Sequence, residues 1–370
     1  PKMVREVTPG QRVLINDGAV RMFAVESGPE ELRCVVNVGG RITSKKGINL
    51  PDSALTVPAL SERDWECAQW ALEHDLDFLA LSFVRKGSDV SDLNRRISAA
   101  RSSPHDSIVE PGIPVIAKIE TPQAVQNIDD ILQHAAGIMV ARGDLGVEMP
   151  TEDVPVLQRR IIRACRWAGK PVIVATQMLE SMIQAPTPTR AEASDVANAV
   201  YEGADAVMLS AETAAGAYPV EAVTIMERII MRAERDPAFN RTVRVDETIP
   251  EATEADAITS AARQAAETIG AAAIVTYTCS GDTTLRAARE RPAVPILALT
   301  MDPTVARTLT LSWGVHPVVA GPSHSFREMI SAAERRAISE RFADPGCRLV
   351  FLAGFPVGST VNTLRITEVS

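Results

Sequence analysis

Between residues 58 and 210, short apolar segments alternate with amphipathic ones, and this alternation restricts the fold more than any other feature of the chain. Segments with almost no polar positions are typical of parallel strands that are buried on both faces and connected by helices. The segments begin every 20 to 40 residues or so, which is the spacing of a repeated βα unit. We therefore predict five such strands, at Phe78–Phe83, Val115–Ile119, Gly137–Val140, Pro171–Ala175 and Ala206–Leu209.

Before and after this region, the pattern of apolar and polar residues differs. Residues up to about Asn49 consist of short strand-like runs, and Asn16-Asp17-Gly18 between two of them is a hairpin signal. A polar, proline-containing stretch from Asp236 to Glu254 indicates a domain boundary. Beyond it we predict a second α/β domain with a helix over Ala255–Ile269, a helix from about Thr283, and strands at Ala273–Tyr277, Pro295–Thr300 and Arg348–Ala353.

Composition excludes several classes of function. The chain has 38 basic and 47 acidic residues, a net charge of −9, and no long basic tract, which argues against a nucleic-acid surface. Five scattered cysteines without a C-x-x-C pair, and histidines without ligand spacing, argue against a zinc site or a disulfide framework and favour the cytoplasm. No apolar run approaches the roughly 18 residues that span a bilayer, so we expect a soluble protein.

Polar side chains follow four of the predicted strands, at the edge where α/β sheets bind ligands. Lys118 and Glu120 are two apart on a strand and therefore leave the same face, either as a self-satisfied ion pair or as part of a site. Asp144 follows Gly143 in a predicted turn whose backbone N–H groups suit an anion. Two carboxylates at neighbouring strand ends suit Mg²⁺, and a lysine beside the metal suits a transferring phosphoryl group or an enolate. The other strand-end groups are Thr176, which taken alone is more often structural, Gln177, Ser210 and Glu212.

Several long segments of the chain resemble the pyruvate kinase family, in the order that the family has them. They are Lys46–Pro51, Ser82–Lys86, Ile116–Thr121, Gly137–Glu148, Ala175–Met182, Pro188–Glu192, Asp195–Val200 and Leu209–Thr213. The resemblance implies an α/β fold with a (β/α)8 TIM-barrel catalytic domain, of which strands four to eight are present. It also implies the C-terminal part of a β lid domain at 1–52, the barrel at 53–236, and a C-terminal α/β regulatory domain at 237–370.

The same resemblance implies the roles of individual residues. Lys118 stabilises the phosphoryl group in transfer, and Thr176 lies where the family protonates the enolate. Glu120 and Asp144 resemble the ligands of Mg²⁺ or Mn²⁺, and the backbone of Arg142, Gly143 and Asp144 resembles the contact for the substrate carboxylate. Lys46 matches a lysine near the nucleotide. The implied reaction converts phosphoenolpyruvate and ADP to pyruvate and ATP, with K⁺ as an activating ion.

Two further properties are implied by the family. The turn at the start of the predicted helix near Thr283 resembles a phosphate cradle for a sugar-phosphate or AMP effector, although an ordinary helix cap explains it too. Its residues are Thr278, Ser280, Gly281 and Thr283, and Gly358–Arg365 resembles the closing strand beside it. The helix that begins after Thr189, within a capping-box pattern with Glu192 and before Gly203, resembles a subunit-interface helix. A homotetramer is therefore implied, and packing on its own barrel is the alternative.

Nothing in the chain matches the first three barrel strands or the first part of the lid. Because five strands of eight leave open edges, we expect the chain expressed alone to be inactive or aggregated. Two other functions stay open at this point. One is a metal-dependent aldolase or lyase acting on a pyruvate enolate, and the other is a non-catalytic remnant.

Overall fold

The computed structural model describes residues 2–44, 46–53, 58–101, 112–244, 252–323, 325–356 and 358–370. The chain divides into two compact units. The first comprises Pro1–Ile161 with Val174–Gln177, and the second comprises Ile162–Ile173 with Met178–Ser370.

The first unit begins with a four-stranded antiparallel sheet of order β3-β2-β1-β4. After helix α1 (Lys2–Glu6), its strands are β1 (Arg12–Ile15), β2 (Val20–Ser27), β3 (Leu32–Val38) and β4 (Ile48–Asn49). Asn16 and Asp17 have positive φ values of 56° and 54°, and Gly18 has one of 78°, which confirms the predicted hairpin turn. Val13, Ala24 and Leu50 form part of the small apolar core of this sheet.

The predicted βα region forms a five-stranded sheet of order β5-β6-β7-β8-β9. Its strands are β5 (Leu79–Leu81), β6 (Val115–Ile119), β7 (Gly137–Ala141), β8 (Val172–Ala175) and β9 (Ala206–Met208). The register of β5 with β6, and of β6 with β7, is parallel. All five predicted strands are present in the structure and are thereby confirmed. The apolar side chains of β6 and β7 are buried on both faces of the sheet, as the prediction requires of covered parallel strands.

Helices connect these strands, and several of them carry explicit caps. They are α2 (Glu62–Glu73), α3 (Gly87–Arg101), α4 (Pro122–Gln126), α5 (Ile128–His134), α6 (Arg142–Glu148), α7 (Val154–Trp167), α8 (Arg190–Tyr201), α9 (Ala211–Ala214), α10 (Pro219–Glu234) and α11 (Phe239–Arg244). The capping box that was predicted before α8 is present. The side chain of Thr189 accepts from the N–H of Glu192, and that of Glu192 accepts from the N–H of Thr189. Gly203, with φ of 94°, follows the helix as predicted.

The C-terminal region is a second five-stranded sheet, of order β12-β11-β10-β13-β14. Its elements are α12 (Glu254–Ile269), β10 (Ala273–Tyr277), α13 (Asp282–Arg289), β11 (Ile296–Thr300), α14 (Pro303–Leu309), β12 (Val315–Val319), α15 (Phe326–Ser339), β13 (Arg348–Ala353) and β14 (Thr363–Glu368). Strands β10 to β13 pair in parallel, and β14 is antiparallel to β13. This confirms the predicted α/β domain. Strand β12 was not predicted, because His316 and Pro317 interrupt it, and it lies at the sheet edge where proline is tolerated.

All five cysteines are free thiols. No helix in the described ranges combines the length and the apolar character that a membrane crossing requires.

Candidate active site

Strand β6 ends in a buried ion pair. Lys118 Nζ lies 2.5 Å from Glu120 Oε1 and donates to Ser82 Oγ at 3.0 Å. Glu120 is fully buried, and its Oε2 atom accepts the backbone N–H of Phe83 at 2.6 Å. The residues that follow β5 therefore hold both partners of the pair. A carboxylate that receives a backbone donor on one oxygen and faces an ammonium on the other is fixed in orientation.

Asp144 lies beside this pair, in the first turn of α6. The prediction placed it in an open turn, whereas the structure begins a seven-residue helix at Arg142. Burial raises the pKa of Asp144, the nearby carboxylate of Glu120 raises it further, and the ammonium of Lys118 opposes both effects. Asp17, from the hairpin turn between β1 and β2, adds to the rise. Like charges that approach in a buried place destabilise one another, so this cluster favours a cation.

The backbone of Thr176, directly after β8, is strained. Its φ of 69° and that of Gln177, 55°, lie in the left-handed region, which a β-branched residue rarely adopts. The conformation turns the Thr176 hydroxyl toward α6, where Oγ1 accepts the N–H of Gly143 at 2.7 Å and donates to the carbonyl of Ala175 at 2.6 Å. Such outliers concentrate at functional sites, where the surrounding structure enforces them. This observation favours the functional interpretation of Thr176 over the structural one.

Arg142 secures the end of β8 from the side of α6. Its guanidinium donates to the carbonyl of Thr176 at 2.8 Å and to that of Ala175 at 3.3 Å. A third bond, of 3.3 Å, joins it to Gln158 Oε1. The side chain of Arg142 therefore positions the strand end, and its backbone lies in the first turn of α6 beside Gly143.

The carboxylates fit a magnesium ion that is shared with a substrate. In the part of the chain that the structure describes, no three His, Cys, Asp or Glu side chains form a ligand group for a metal. Mg²⁺ is nevertheless commonly bound by one or two carboxylates together with substrate phosphates and waters. Glu120 Oε1 is buried against Lys118 Nζ and, among the described residues, accepts no hydrogen bond of ordinary geometry. That oxygen and the carboxylate of Asp144 could hold such an ion together with substrate oxygens and water.

The structure thus brings together Lys118, Glu120, Arg142, Gly143, Asp144 and Thr176, as the sequence predicted. Lys46 lies exposed, in the segment that leads into β4. Sequence reasoning did not identify the roles of Asp17, Ser82 and the Phe83 N–H. Ser82 and Phe83 directly follow β5, so the rule that was applied to the other strand ends would have found them. Asp17 gave only a turn signal.

The polar residues after β9 have a structural role. Glu212 is buried, and its two oxygens accept the N–H groups of Leu179 at 3.1 Å and of Ser210 at 2.8 Å. These bonds hold the segments that follow β8 and β9 to each other.

The predicted effector residues gather around a separate cavity of about 210 Å³ in the C-terminal region. Thr278, Ser280 and Thr283 line it. Gly281, with φ of 96°, is the N-cap of α13 and donates its N–H to Thr278 Oγ1 at 2.9 Å. Arg286 from α13 also lines the cavity. The turn therefore has both the hydroxyl groups of a cap and a cation at a place where a phosphate would fit.

Comparison with known proteins gives a consistent result. The family model "Pyruvate kinase, barrel domain" matches residues 1–223, and "Pyruvate kinase, alpha/beta domain" matches residues 256–367. A pyruvate kinase of Methylorubrum extorquens is 45% identical over 372 residues, covering 100% of this chain and 75% of the relative. One of Thermotoga maritima is 39% identical, covering 99% of this chain and 76% of the relative.

A solved structure agrees with these sequence matches. The crystal structure of a pyruvate kinase from Cryptosporidium parvum superimposes with a TM-score of 0.91 at 37% identity, covering 100% of this chain and 74% of that one. The matches span both sheets of the α/β regions as well as the antiparallel sheet. The chain therefore belongs to the pyruvate kinase family, the phosphotransferases of glycolysis that pass a phosphoryl group from phosphoenolpyruvate to ADP.

Proposed function

We propose that the cluster of Lys118, Glu120, Asp144 and Thr176 carries out Mg²⁺-dependent phosphoryl transfer from phosphoenolpyruvate to ADP. The observation that supports it most directly is the buried Lys118–Glu120 pair, 2.5 Å apart, beside a second carboxylate with a raised pKa. Glu120 and Asp144 would hold Mg²⁺ or Mn²⁺, which supplies charge neutralisation and orientation of the phosphoryl oxygens. A reaction of this type needs positioning and charge stabilisation more than covalent catalysis.

Each residue of the proposed site has a distinct task. Lys118 Nζ faces the transferring group and stabilises the negative charge on its oxygens. The backbone of Arg142, Gly143 and Asp144 receives the carboxylate of phosphoenolpyruvate. Thr176 uses its remaining lone pair to order the water through which the enolate is protonated. Lys46 contacts the nucleotide.

An assay of pyruvate formation with and without ADP tests the proposal, and a preparation that is inactive in both conditions would agree with the expectation for a barrel of five strands. We expect strict dependence on ADP, and loss of about 10² to 10³ in kcat for Lys118→Met, because one charge-stabilising donor is removed. Lys86→Met, at an exposed position, is the matched control. Pyruvate formation that is independent of ADP would favour the aldolase or lyase alternative instead.

We propose K⁺ as the activating monovalent ion, on the family resemblance alone. Replacement of K⁺ by Na⁺ at constant ionic strength tests this directly. A fall in kcat is expected, and equal rates in the two salts would contradict the assignment.

The cavity around Thr278, Ser280, Gly281 and Thr283 is proposed to bind a sugar phosphate or AMP as an allosteric effector. The cavity, its hydroxyl groups and Arg286 support the proposal. Titration of activity with sugar phosphates and with AMP tests it, and Thr283→Val should weaken the response. A flat titration with every effector would refute it.

Three broader assignments follow from the family. We propose a homotetramer, which is supported by the exposed apolar side chains of Val220, Val223 and Met231 on α10, and light scattering on the purified protein tests it. We propose the cytoplasm, which is supported by the five free cysteines. We also propose domain boundaries near residues 52 and 236, to be tested by limited proteolysis.

A further inference from the structure

Helix α6 is short, and its own sequence does little to stabilise it. Its seven residues include Gly143 and Gly146, and glycine has a low helix propensity. Ala141, the N-cap residue, has no side-chain oxygen that could accept a hydrogen bond from the first turn. A helix of two turns is not stable alone in water, so contacts with other elements must hold α6 in place.

Hydrogen bonds from other elements hold both ends of α6. In the first turn, the N–H of Gly143 donates to Thr176 Oγ1 at 2.7 Å. At the last residue, Glu148 Oε1 accepts from the side-chain amide of Asn49 at 3.0 Å, and Glu148 is only 6% exposed. Burial raises the pKa of Glu148, and the hydrogen bond from Asn49 is the largest effect that opposes it. The removal of a donor from a buried carboxylate is costly, so this bond secures the end of α6.

Asn49 belongs to an element that is itself fixed. It is the second residue of β4 and pairs with Leu14 of β1 in the antiparallel sheet. Just before it, the carbonyl of Gly47 accepts the N–H of Asn16 at 3.2 Å. The side chain of Asn49 therefore reaches α6 from a backbone that the sheet holds in register, which makes it a rigid support for the helix.

The first turn of α6 is the part of the helix that the proposed function uses. There the backbone of Arg142, Gly143 and Asp144 receives the carboxylate of phosphoenolpyruvate. A helix of seven residues is only about 10 Å long, so a displacement of its last residue also moves its first turn. The groups of a binding site must be held within about 0.5 Å of their productive geometry, and the support at Glu148 contributes to this precision.

We propose that Asn49 is a positioning residue for the substrate carboxylate, which acts by holding α6 through its hydrogen bond to Glu148. Asn49 acts on the helix and not on a reacting atom, so no step of the transfer passes through it. The inference rests on the proposed function, which assigns the carboxylate of phosphoenolpyruvate to the first turn of α6.

Hydrogen exchange of the full chain measures the support of α6 without substrate. We expect the amides of its last turn to exchange about tenfold faster in Asn49→Ala, because a hydrogen bond to a charged group is lost. The buried amides of β6 should keep their protection, which would show that the fold is intact. Asn37→Ala, at an exposed position of β3 in the same sheet, is the matched control and should exchange like the wild type. Equal exchange of α6 in Asn49→Ala and the wild type would overturn the proposal.

Titration with phosphoenolpyruvate in saturating Mg²⁺ distinguishes positioning from a purely structural role. Asn49→Ala and Glu148→Ala should each raise the Kd for phosphoenolpyruvate by about tenfold, since both remove the same hydrogen bond. Glu148→Gln keeps an oxygen that accepts from Asn49 and should restore the wild-type Kd. Where turnover is measured, KM for phosphoenolpyruvate should rise in Asn49→Ala while kcat changes by less than about twofold, as expected for a group that only supports binding.

The results separate this inference from the proposed function. A wild type that binds no phosphoenolpyruvate would refute the proposed function and, with it, the assignment of the substrate. A wild type that binds it with the same Kd as Asn49→Ala would overturn the role of Asn49 alone. A Kd that rises equally in Glu148→Ala and Glu148→Gln would also overturn that role, because the hydrogen bond would then not be what matters.

Discussion

Thr176 shows how the site stores backbone strain at a single residue. A residue of this type with φ of 69° costs about 1 to 3 kcal/mol, and the hydrogen bonds of its hydroxyl to Gly143 and Ala175 offset part of that cost. We expect Thr176→Gly to change the free energy of unfolding by less than about 1 kcal/mol, because relief of strain and loss of the two bonds nearly cancel. The same variant should lose about 10²-fold in kcat, since the hydroxyl at the reacting centre is gone. Urea unfolding and initial rates measure the two effects.

Gln177→Gly is the matched variant, since φ of Gln177 is 55° and it lies in the same turn. It relieves strain without removing the hydroxyl of Thr176, so it should stabilise the protein. A destabilised Gln177→Gly would show that the turn is not strained.

Glu120 and Glu148 are both buried carboxylates in the first unit. We expect substitution by glutamine to impair catalysis and Mg²⁺ activation at Glu120 but not at Glu148. Glu120 faces Lys118 and Asp144, so Glu120→Gln should lower kcat/KM by about 100-fold or more and move the Mg²⁺ activation curve to higher concentration. Burial raises the pKa of Glu148, the hydrogen bond from Asn49 opposes this, and Glu148→Gln can keep that bond's geometry. It should therefore cost less than about 1 kcal/mol of stability and leave the Mg²⁺ curve in place. A shift of the curve in both variants would contradict the assignment of the ligands.

The sequence predicts that some residues belong to the site but gives no sign of this for others. Lys118, Glu120 and Asp144 follow buried strands, so the position of the strand end alone predicts that they lie at a common edge. Asp17 reaches the same cluster from a hairpin turn more than 100 residues away in sequence. Turn chemistry fixes its local conformation, but no local pattern encodes its distance to Asp144.

Among the elements, α8 begins with a complete capping box, and this cap makes the stability of the protein depend on pH. Burial tends to raise the pKa of Glu192, but the hydrogen bonds from Ser181 and Thr189 outweigh it and lower the pKa. A carboxylate with a folded-state pKa below its unfolded value of about 4.3 stabilises the fold above that pH, and loses the contribution as pH falls through the folded value. We expect Glu192→Gln to cost about 1 kcal/mol at pH 7.

The difference between Glu192→Gln and the wild type should narrow as the pH is lowered below about 4.3. Urea unfolding at several pH values measures it. Glu221→Gln, in the first turn of α10 and exposed, is the control and should show almost no difference at any pH. A cost for Glu192→Gln that stays constant with pH would contradict this account of the cap.

For two elements, the sequence pattern did not predict the secondary structure correctly. Helix α6 was predicted as a turn, because Gly143 and Gly146 lower the intrinsic helix propensity of its seven residues. The structure nevertheless makes it helical, and the hydroxyl of Thr176 receives the Gly143 N–H in its first turn. Strand β12 was missed because Pro317 is a poor strand residue by composition, although an edge position removes the objection. In both cases tertiary neighbours override the local preference.

At the scale of the molecule, sequence predicted the kinds of sheet but not where the small antiparallel sheet meets the rest of its unit. Asn49 donates to Glu148 Oε1 at 3.0 Å, and Gly18 lies against Val147, so β4 and the turn between β1 and β2 both contact α6. These contacts join positions roughly 100 to 130 residues apart. Their side chains carry no shared pattern, and only the folded chain shows that α6 is the common contact.

At the metal site, we expect the difference in unfolding midpoint between Asp144→Asn and the wild type to change sign when Mg²⁺ is added. Burial and the neighbouring carboxylate of Glu120 raise the pKa of Asp144 above its unfolded value, so its ionised form destabilises the metal-free protein at neutral pH. We therefore expect Asp144→Asn to have a higher unfolding midpoint than the wild type in EDTA. Saturating Mg²⁺ should reverse the order, because the ion stabilises only the protein that retains both carboxylates. Thermal unfolding of both proteins at pH 7 in EDTA and in Mg²⁺ measures the crossing. Midpoints that rise equally with Mg²⁺ in both proteins would place the ion elsewhere.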